Sequence, residues 1–178
     1  FMDTGIVETL TNNYKFKLGH DFGNWSTLLN VAYEDRHSVN DSANTYLRDA
    51  DGNPIYRGDV IDNGRQFSVP ANRFSARDLE RRSLSTGLRL RGQITDTIEL
   101  EANVNRFTVL RDESRSSFAH PDDPEHTLDG QVSDFGDTGW ETAEVKVYFN
   151  DLGVQGLGLV AGARMESYEL NLDIYDST

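Results

Sequence analysis

The sequence has no cysteine, only four prolines among 178 residues, and no apolar run near the roughly 18 residues of a transmembrane helix. Without cysteine there is no disulfide framework, no thiolate metal site and no cysteine nucleophile. Cations are also scarce, with 17 Lys and Arg against 30 Asp and Glu, for a net charge of −13. Nucleic acid is therefore not an expected partner, because its binders carry a basic footprint. Hydrophobic residues make up 37%, and the mean hydropathy is −0.59. The opening Phe1-Met2-Asp3-Thr4 has no basic-then-apolar segment, so no signal peptide is expected within the sequence. None of this excludes a membrane protein built from strands, since a barrel strand needs only every second residue apolar.

Helical periodicity is nearly absent. The best candidate is one turn over Ser75–Arg81, with no apolar stripe behind it. Strand alternation occurs six times instead, in three hairpins. In the first, Tyr14, Phe16 and Leu18 precede a turn near Gly23, and Trp25, Thr27, Leu29, Val31 and Tyr33 follow it. In the second, Leu84, Thr86, Leu88, Leu90 and Ile94 face Ile98, Leu100, Ala102 and Val104 about a turn at Asp96. Folding there sets Ile94 against Ile98, Leu90 against Ala102, Leu88 against Val104 and Arg91 against Glu101. A one-residue slip would spoil both faces. In the third, Ala143, Val145, Val147 and Phe149 meet Leu157, Leu159, Ala161, Ala163 and Met165. The alternation continues through Tyr168, Leu170, Leu172 and Ile174 as a projecting strand.

Turns within hairpins are tight, whereas the connections over 37–82 and 108–139 exceed the usual limit of about 15 residues. Because antiparallel strands reverse, all tight turns fall at one edge of the sheet and both long loops at the other. The expectation is an all-β, antiparallel up-and-down transmembrane barrel segment of about six strands, spanning 1–178 as a partial barrel domain. The tight turns would be periplasmic and the two long loops extracellular. The polar face, with Arg89, Arg91, Glu99, Glu101, Glu144 and Lys146, would line a hydrated lumen. Aromatics near strand ends (Tyr14, Phe16, Trp25, Tyr33, Phe107, Trp140, Phe149) would form interfacial girdles.

The stretch Asn24-Trp25-Ser26-Thr27-Leu28-Leu29-Asn30-Val31-Ala32-Tyr33-Glu34-Asp35-Arg36 resembles a wall strand of TonB-dependent outer-membrane receptors. So does Gly156–Tyr168, with its Gly162-Ala163-Arg164-Met165-Glu166-Ser167-Tyr168. The likeness implies a barrel of about 22 strands around a plug domain. It also implies the bacterial outer membrane, coupling through the plug to the TonB energy-transducing complex, and uptake of an iron–siderophore complex, haem, cobalamin or an oligosaccharide. Partners on this reading are outer-membrane lipid and lipopolysaccharide, the TonB complex and that small ligand. The sequence departs from the pattern in offering no plug, no TonB-contacting box and no terminal aromatic insertion signal. Six strands fall short of the eight or so that close a barrel, so the chain reads as a fragment. The runner-up is a soluble β-sandwich module binding a ligand or carbohydrate, and a barrel enzyme comes third.

The loop over 37–82 offers Tyr46, Tyr56, Arg57, Arg65, Phe67 and Arg73 as ligand-binding candidates, since Arg with aromatics suits a catecholate, a haem carboxylate or a sugar face. Arg–carboxylate pairs holding the loop together are an alternative of at least equal weight. Asp49-Ala50-Asp51-Gly52-Asn53-Pro54 could gather calcium ligands but reads better as the turn of a hairpin joining Tyr46–Arg48 to Ile55–Arg57. His120-Pro121-Asp122-Asp123-Pro124-Glu125-His126 looks like a metal cluster, yet its prolines favour a solvated surface loop. No catalytic constellation accompanies His20, His37, His120 and His126, so no enzyme, cofactor or resident metal is expected.

Overall fold

The structure, a computed structural model, describes residues 2–40, 43–154 and 156–177. It is all-β, with 68% of residues in strands and antiparallel pairing throughout. In chain order the strands are β1 (Met2–Asp3), β2 (Glu8–Phe22), β3 (Trp25–Asn40), β4 (Asn44–Thr45), β5 (Gly58–Asp62) and β6 (Arg65–Val69). They continue as β7 (Arg77–Thr95), β8 (Ile98–Ser117), β9 (Gly130–Asp134), β10 (Gly139–Phe149), β11 (Leu159–Glu169) and β12 (Asp173–Ser177). The main sheet runs β2-β3-β7-β8-β10-β11, a meander of sequence neighbours. Beyond β10, β9 continues along the same side of β8, and β12 pairs with β9. Six long antiparallel paths result. The sheet is open, with β2 and β11 at its edges, and among the described residues it does not close into a barrel.

The central register is the one the alternation demands: Leu88 faces Val104, Leu90 faces Ala102 and Arg91 faces Glu101. Ile94 does not face Ile98. A bulge between Gln93 and Thr95 removes Ile94 from the ladder and pairs Thr95 with Ile98. The Thr95 hydroxyl accepts the amide of Ile98 at 3.1 Å, closing the two-residue turn. The Ser75–Arg81 turn is also corrected. The helical turn is a 3₁₀ segment at Ala71–Phe74, and Arg77 onward is already β7.

Both loops are shorter than their sequence boundaries, because the strands outrun their apolar alternation. The connections occupy 41–76 and 118–129 rather than 37–82 and 108–139. Past the aliphatic rows the ladders are held by cross-strand ion pairs. Arg82 meets Asp35 at 3.4 Å, Arg111 meets Glu80 at 2.9 Å, and Arg81 donates to Asp112 at 2.9 and 2.6 Å. A second bulge in β8 leaves Leu110 unpaired between Val109 and Arg111. The breaks between β9 and β10 and between β11 and β12 lie nearby. Thr138 and Asn171 stitch those two breaks together, the Asn171 amide donating to the Thr138 hydroxyl at 3.0 Å.

The main cluster of buried hydrophobic residues lies outside the main sheet, whose own buried aliphatics, Val109 on β8 and Val132 on β9, sit near the loops. Leu47, Tyr56, Val60, Val69 and Phe74 cluster within the first long connection, with Met2, Ala43, Ile55 and Phe67 packed around them. This small cap contains the β5–β6 hairpin, whose turn uses Asn63 and Gly64 at positive φ, as a two-residue hairpin requires. In the aliphatic rows of the sheet nearer the tight turns, by contrast, the side chains stay open. Leu18 is 56% exposed, Leu88 51%, Val104 54% and Met165 71%.

Candidate functional site

Reading the register across all six paths gives rows of side chains on each face. On the apolar face, one row is Phe22, Trp25, Gly92, Leu100, Val147 and Ala161, and the middle row is Leu18, Leu29, Leu88, Val104, Ala143 and Met165. Gly92 is glycine because the Trp25 indole lies where its Cβ would stand. Further toward the loops this face becomes charged, with Asp35, His37, Asp78, Glu80, Arg82, Arg111, Glu113 and Arg115. His37 meets Asp78 at 2.8 Å there.

The opposite face is polar. All six wall residues expected in the lumen lie on it: Arg91, Glu101 and Lys146 in one row, Arg89 and Glu144 in the next, and Glu99 toward the turns. Arg91 pairs with Glu99, and Lys146 meets Glu144 at 2.7 Å. Asn103 donates its amide to Glu101 at 2.9 Å. Charged groups on this face are thus satisfied by neighbours, Arg91 with Glu99 across the β7–β8 pair and Lys146 with Glu144 along β10. Deeper toward the cap, Arg36 and Arg81 share a row with Asp112, and the Nε of Arg36 is buried without a hydrogen-bond partner.

Phe107 and Trp140 stand apart from the other aromatics expected near strand ends. Both sit on the polar face, in a row Lys15, Ala32, Ser85, Phe107, Trp140 and Tyr168. Their rings lie 5.9 Å apart at 20°. The Tyr168 hydroxyl donates to Glu166 at 2.5 Å. Phe107 falls two residues after Asn105 and four after Asn103, so its parity already assigned it to this face. Tyr14, Phe16, Trp25, Tyr33 and Phe149 do lie on the apolar face.

The six loop candidates divide. Tyr56 is buried, stacked on His120 at 3.8 Å and 5°, with Phe74 against its edge. Burial, and then the charge of Asp122, hold its phenol above the ordinary value. Phe67 packs against the cap core, and Arg57 is engaged by Asp123 at 3.3 Å and by Glu125. Tyr56 and Arg57 thus tie the two long loops together, while Phe67 packs within the first. Tyr46, Arg65 and Arg73 are solvent-exposed on the cap. Arg65 and Phe67 line an open surface hollow with Asp62 and Asn63.

Asp49 anchors the expected hairpin turn, accepting the amides of Asp51 at 2.9 Å and Asn53 at 2.7 Å. Its carboxyl is held below the ordinary value by the Asn53 side chain, then by the Asn53 backbone amide. His120 is buried. Its Nε2 lies 2.7 Å from the Ala43 carbonyl, and its Nδ1 accepts the Asp122 amide at 3.0 Å, so the ring serves as a structural bridge between loops. Among the described residues no group of three or more His, Cys, Asp or Glu could hold a metal ion.

No protein-family model, curated protein or solved structure matches the chain.

Proposed function

We propose that the chain is a stretch of wall and extracellular loops from a TonB-dependent outer-membrane receptor, which takes up a scarce ligand such as an iron–siderophore complex. The observation that carries this reading is the shape of the apolar band. On β2, β3 and β7 the band ends at Tyr14, Tyr33 and Leu84. On β8, β10 and β11 it ends two rows nearer the turns, at Val104, Ala143 and Met165. Two rows are about 13 Å along a strand, and five strand spacings are about 24 Å, so this boundary slants by about 30°. Strands tilted by about 35–45° through a flat hydrocarbon slab produce such a slant, and a flat soluble sheet has no reason to. Measured from Tyr14 to Phe22 and corrected for the slant, the band is about 23 Å tall, close to the roughly 25 Å band of an outer-membrane barrel.

On this reading lipid and lipopolysaccharide meet the apolar face, and the charged extension above it stands in water. The polar face lines the lumen, and the cap closes over the outer mouth. The ligand would be captured by the loops and released inward by plug movement driven through the TonB complex, with this segment supplying passive wall and loop contacts. Exposed edges at β2 and β11 are the places where further barrel strands would pair. A soluble β-sandwich module would need a second layer over Leu18, Leu88, Val104 and Met165, and among the described residues nothing packs there.

The test is fractionation of the full-length protein in a Gram-negative host. Sedimentation with outer membranes and release by detergent alone is the expected result. Recovery as a monomer in detergent-free buffer would overturn the proposal.

A further inference from the structure

The aromatic row on the polar face has no part in holding the sheet together as an apolar core does, since Trp140 is 40% and Tyr168 69% exposed. Three neighbouring strands carry Phe107, Trp140 and Tyr168 side by side, which at about 4.8 Å per strand makes a strip about 10 Å long. Beside the strip the floor is low: Ala32 and Ser85 continue its row, and Gly87 stands in the next. Gly87 has no Cβ because the Asn105 amide oxygen lies over it, 2.7 Å from where that carbon would be, with Asn30 on its other side. The neighbouring row thus offers Asn30, Asn105, Thr142 and Glu166, and Asn105 donates to the Thr142 hydroxyl at 3.4 Å.

We propose that this strip is a sugar-binding subsite, in which Phe107, Trp140 and Tyr168 stack against the C–H faces of a neutral oligosaccharide while Asn105, Thr142 and Glu166 hydrogen-bond its hydroxyls. The choice of ligand follows from the groups present. Over the three strands that carry the rings, the neighbouring row offers the Asn105 amide, the Thr142 hydroxyl and a Glu166 carboxylate already engaged by Tyr168 and Arg164, which matches a polyol with no charge. Lys15 and Lys17, which end the two rows, stand on β2, three to five strands away. Of the cations on these strands and β7, which an anionic catecholate or haem would seek, Arg89 lies two rows and Arg91 and Lys146 three rows away toward the tight turns, and Arg164, two rows away, is held by Glu166. The strip's length suits two linked rings, and aromatic faces bind such rings with little ordering cost because Trp, Tyr and Phe have few rotors. The subsite rests on the reading of the polar face as a barrel lumen, and it narrows the ligand of that reading from iron complexes toward carbohydrate.

The experiment uses the full-length protein in detergent, probed with an array of neutral gluco-, galacto-, manno- and xylo-oligosaccharides. A ferric catecholate and haem serve as anionic probes. Binding of at least one neutral oligosaccharide is expected. Trp140→Ala should weaken it by about tenfold, in line with the loss of one stacked ring. Trp140→Phe should retain most of it, and Trp25→Phe on the opposite face should change nothing. Should Trp140→Ala fail to fold, Tyr168→Ala on the exposed edge strand carries the same comparison. Absence of binding across the neutral array, equal binding by the Ala variants, or Trp140-dependent binding of an anionic probe alone would overturn the subsite. Failure of the lumen reading is read separately, by brominated lipid: quenching of Trp140 fluorescence by bromine in the acyl chains would mean that the faces are reversed.

Discussion

Leu88 occupies the middle of the apolar band, flanked in its row by Leu29 and Val104 and half exposed on a face that no other layer covers among the described residues. Leu88→Arg would put a guanidinium at the centre of the hydrocarbon slab, at a cost of about 2–4 kcal/mol. Leu84 lies two rows nearer the loops, at the upper boundary beside Tyr33. The same substitution there should cost only about 0–1 kcal/mol, because the side chain reaches the interface. Arg91→Leu, on the polar face, removes a pairing with Glu99 and introduces a small apolar surface into water, so it should leave assembly largely intact. The three variants are compared by urea titration of the full-length protein folded into lipid vesicles, with the heat-modifiable band on cold gel electrophoresis as the measure of folding. The order of destabilisation should be Leu88→Arg, then Leu84→Arg, with Arg91→Leu mildest. If Arg91→Leu is the most damaging, the faces are assigned backwards. If the Arg substitutions at 88 and 84 cost the same, there is no slab and the depth argument fails.

Phe74, 1% exposed at the centre of the cap, should cost about 3–5 kcal/mol of local stability as Ala. Hydrogen exchange should then accelerate through 43–76 while the β7–β8 ladder keeps its protection. The Tyr56 phenol, raised by burial, stabilises the cap below the ordinary phenol value, and that stabilisation is lost as pH rises toward its folded value. The ultraviolet phenolate signal that Tyr56→Phe removes should therefore titrate above that of an exposed tyrosine. Asp49 works in the opposite sense. Its lowered carboxyl stabilises the hairpin turn above the ordinary carboxylate value and loses that effect as pH falls, so Asn53→Ala should move its NMR titration upward. Gly92→Ala should displace the Trp25 ring and shift its emission, at a stability cost of about 1–3 kcal/mol from overpacking.

The hairpin registers were legible because two faces constrained each one: Leu88 against Val104 and Arg91 against Glu101 allow only one alignment. The strand ends were not, because beyond Tyr33 and Leu84 the apolar alternation stops while the ladders continue on ion pairs such as Arg82 with Asp35. A bulge changes parity without any mark in the sequence, which hid both the unpairing of Ile94 and the continuation of β8 past Leu110. In the loops, residue type showed which groups could bind a ligand but not which would be consumed by packing. Tyr56, Arg57 and Phe67 look the same in sequence as Tyr46, Arg65 and Arg73, and the division between them depends on tertiary contacts, between the two loops for Tyr56 and Arg57 and within the cap for Phe67. The aromatic strip was within reach, since counting parity from Asn103 to Phe107 moves that ring off the apolar face.

The most direct measurement is a nitroxide scan along β7 of the full-length protein in lipid vesicles, one label per residue from Arg82 to Ile94, read by collision with oxygen and with a water-soluble nickel chelate. Labels at 84, 86, 88 and 90 should favour oxygen, and labels at 83, 85, 87, 89 and 91 the chelate. The alternation should end at Arg82, where the apolar face passes into water. Uniform exposure to the chelate at every position, or low collision with both reagents at 84–90, would contradict a wall standing in lipid.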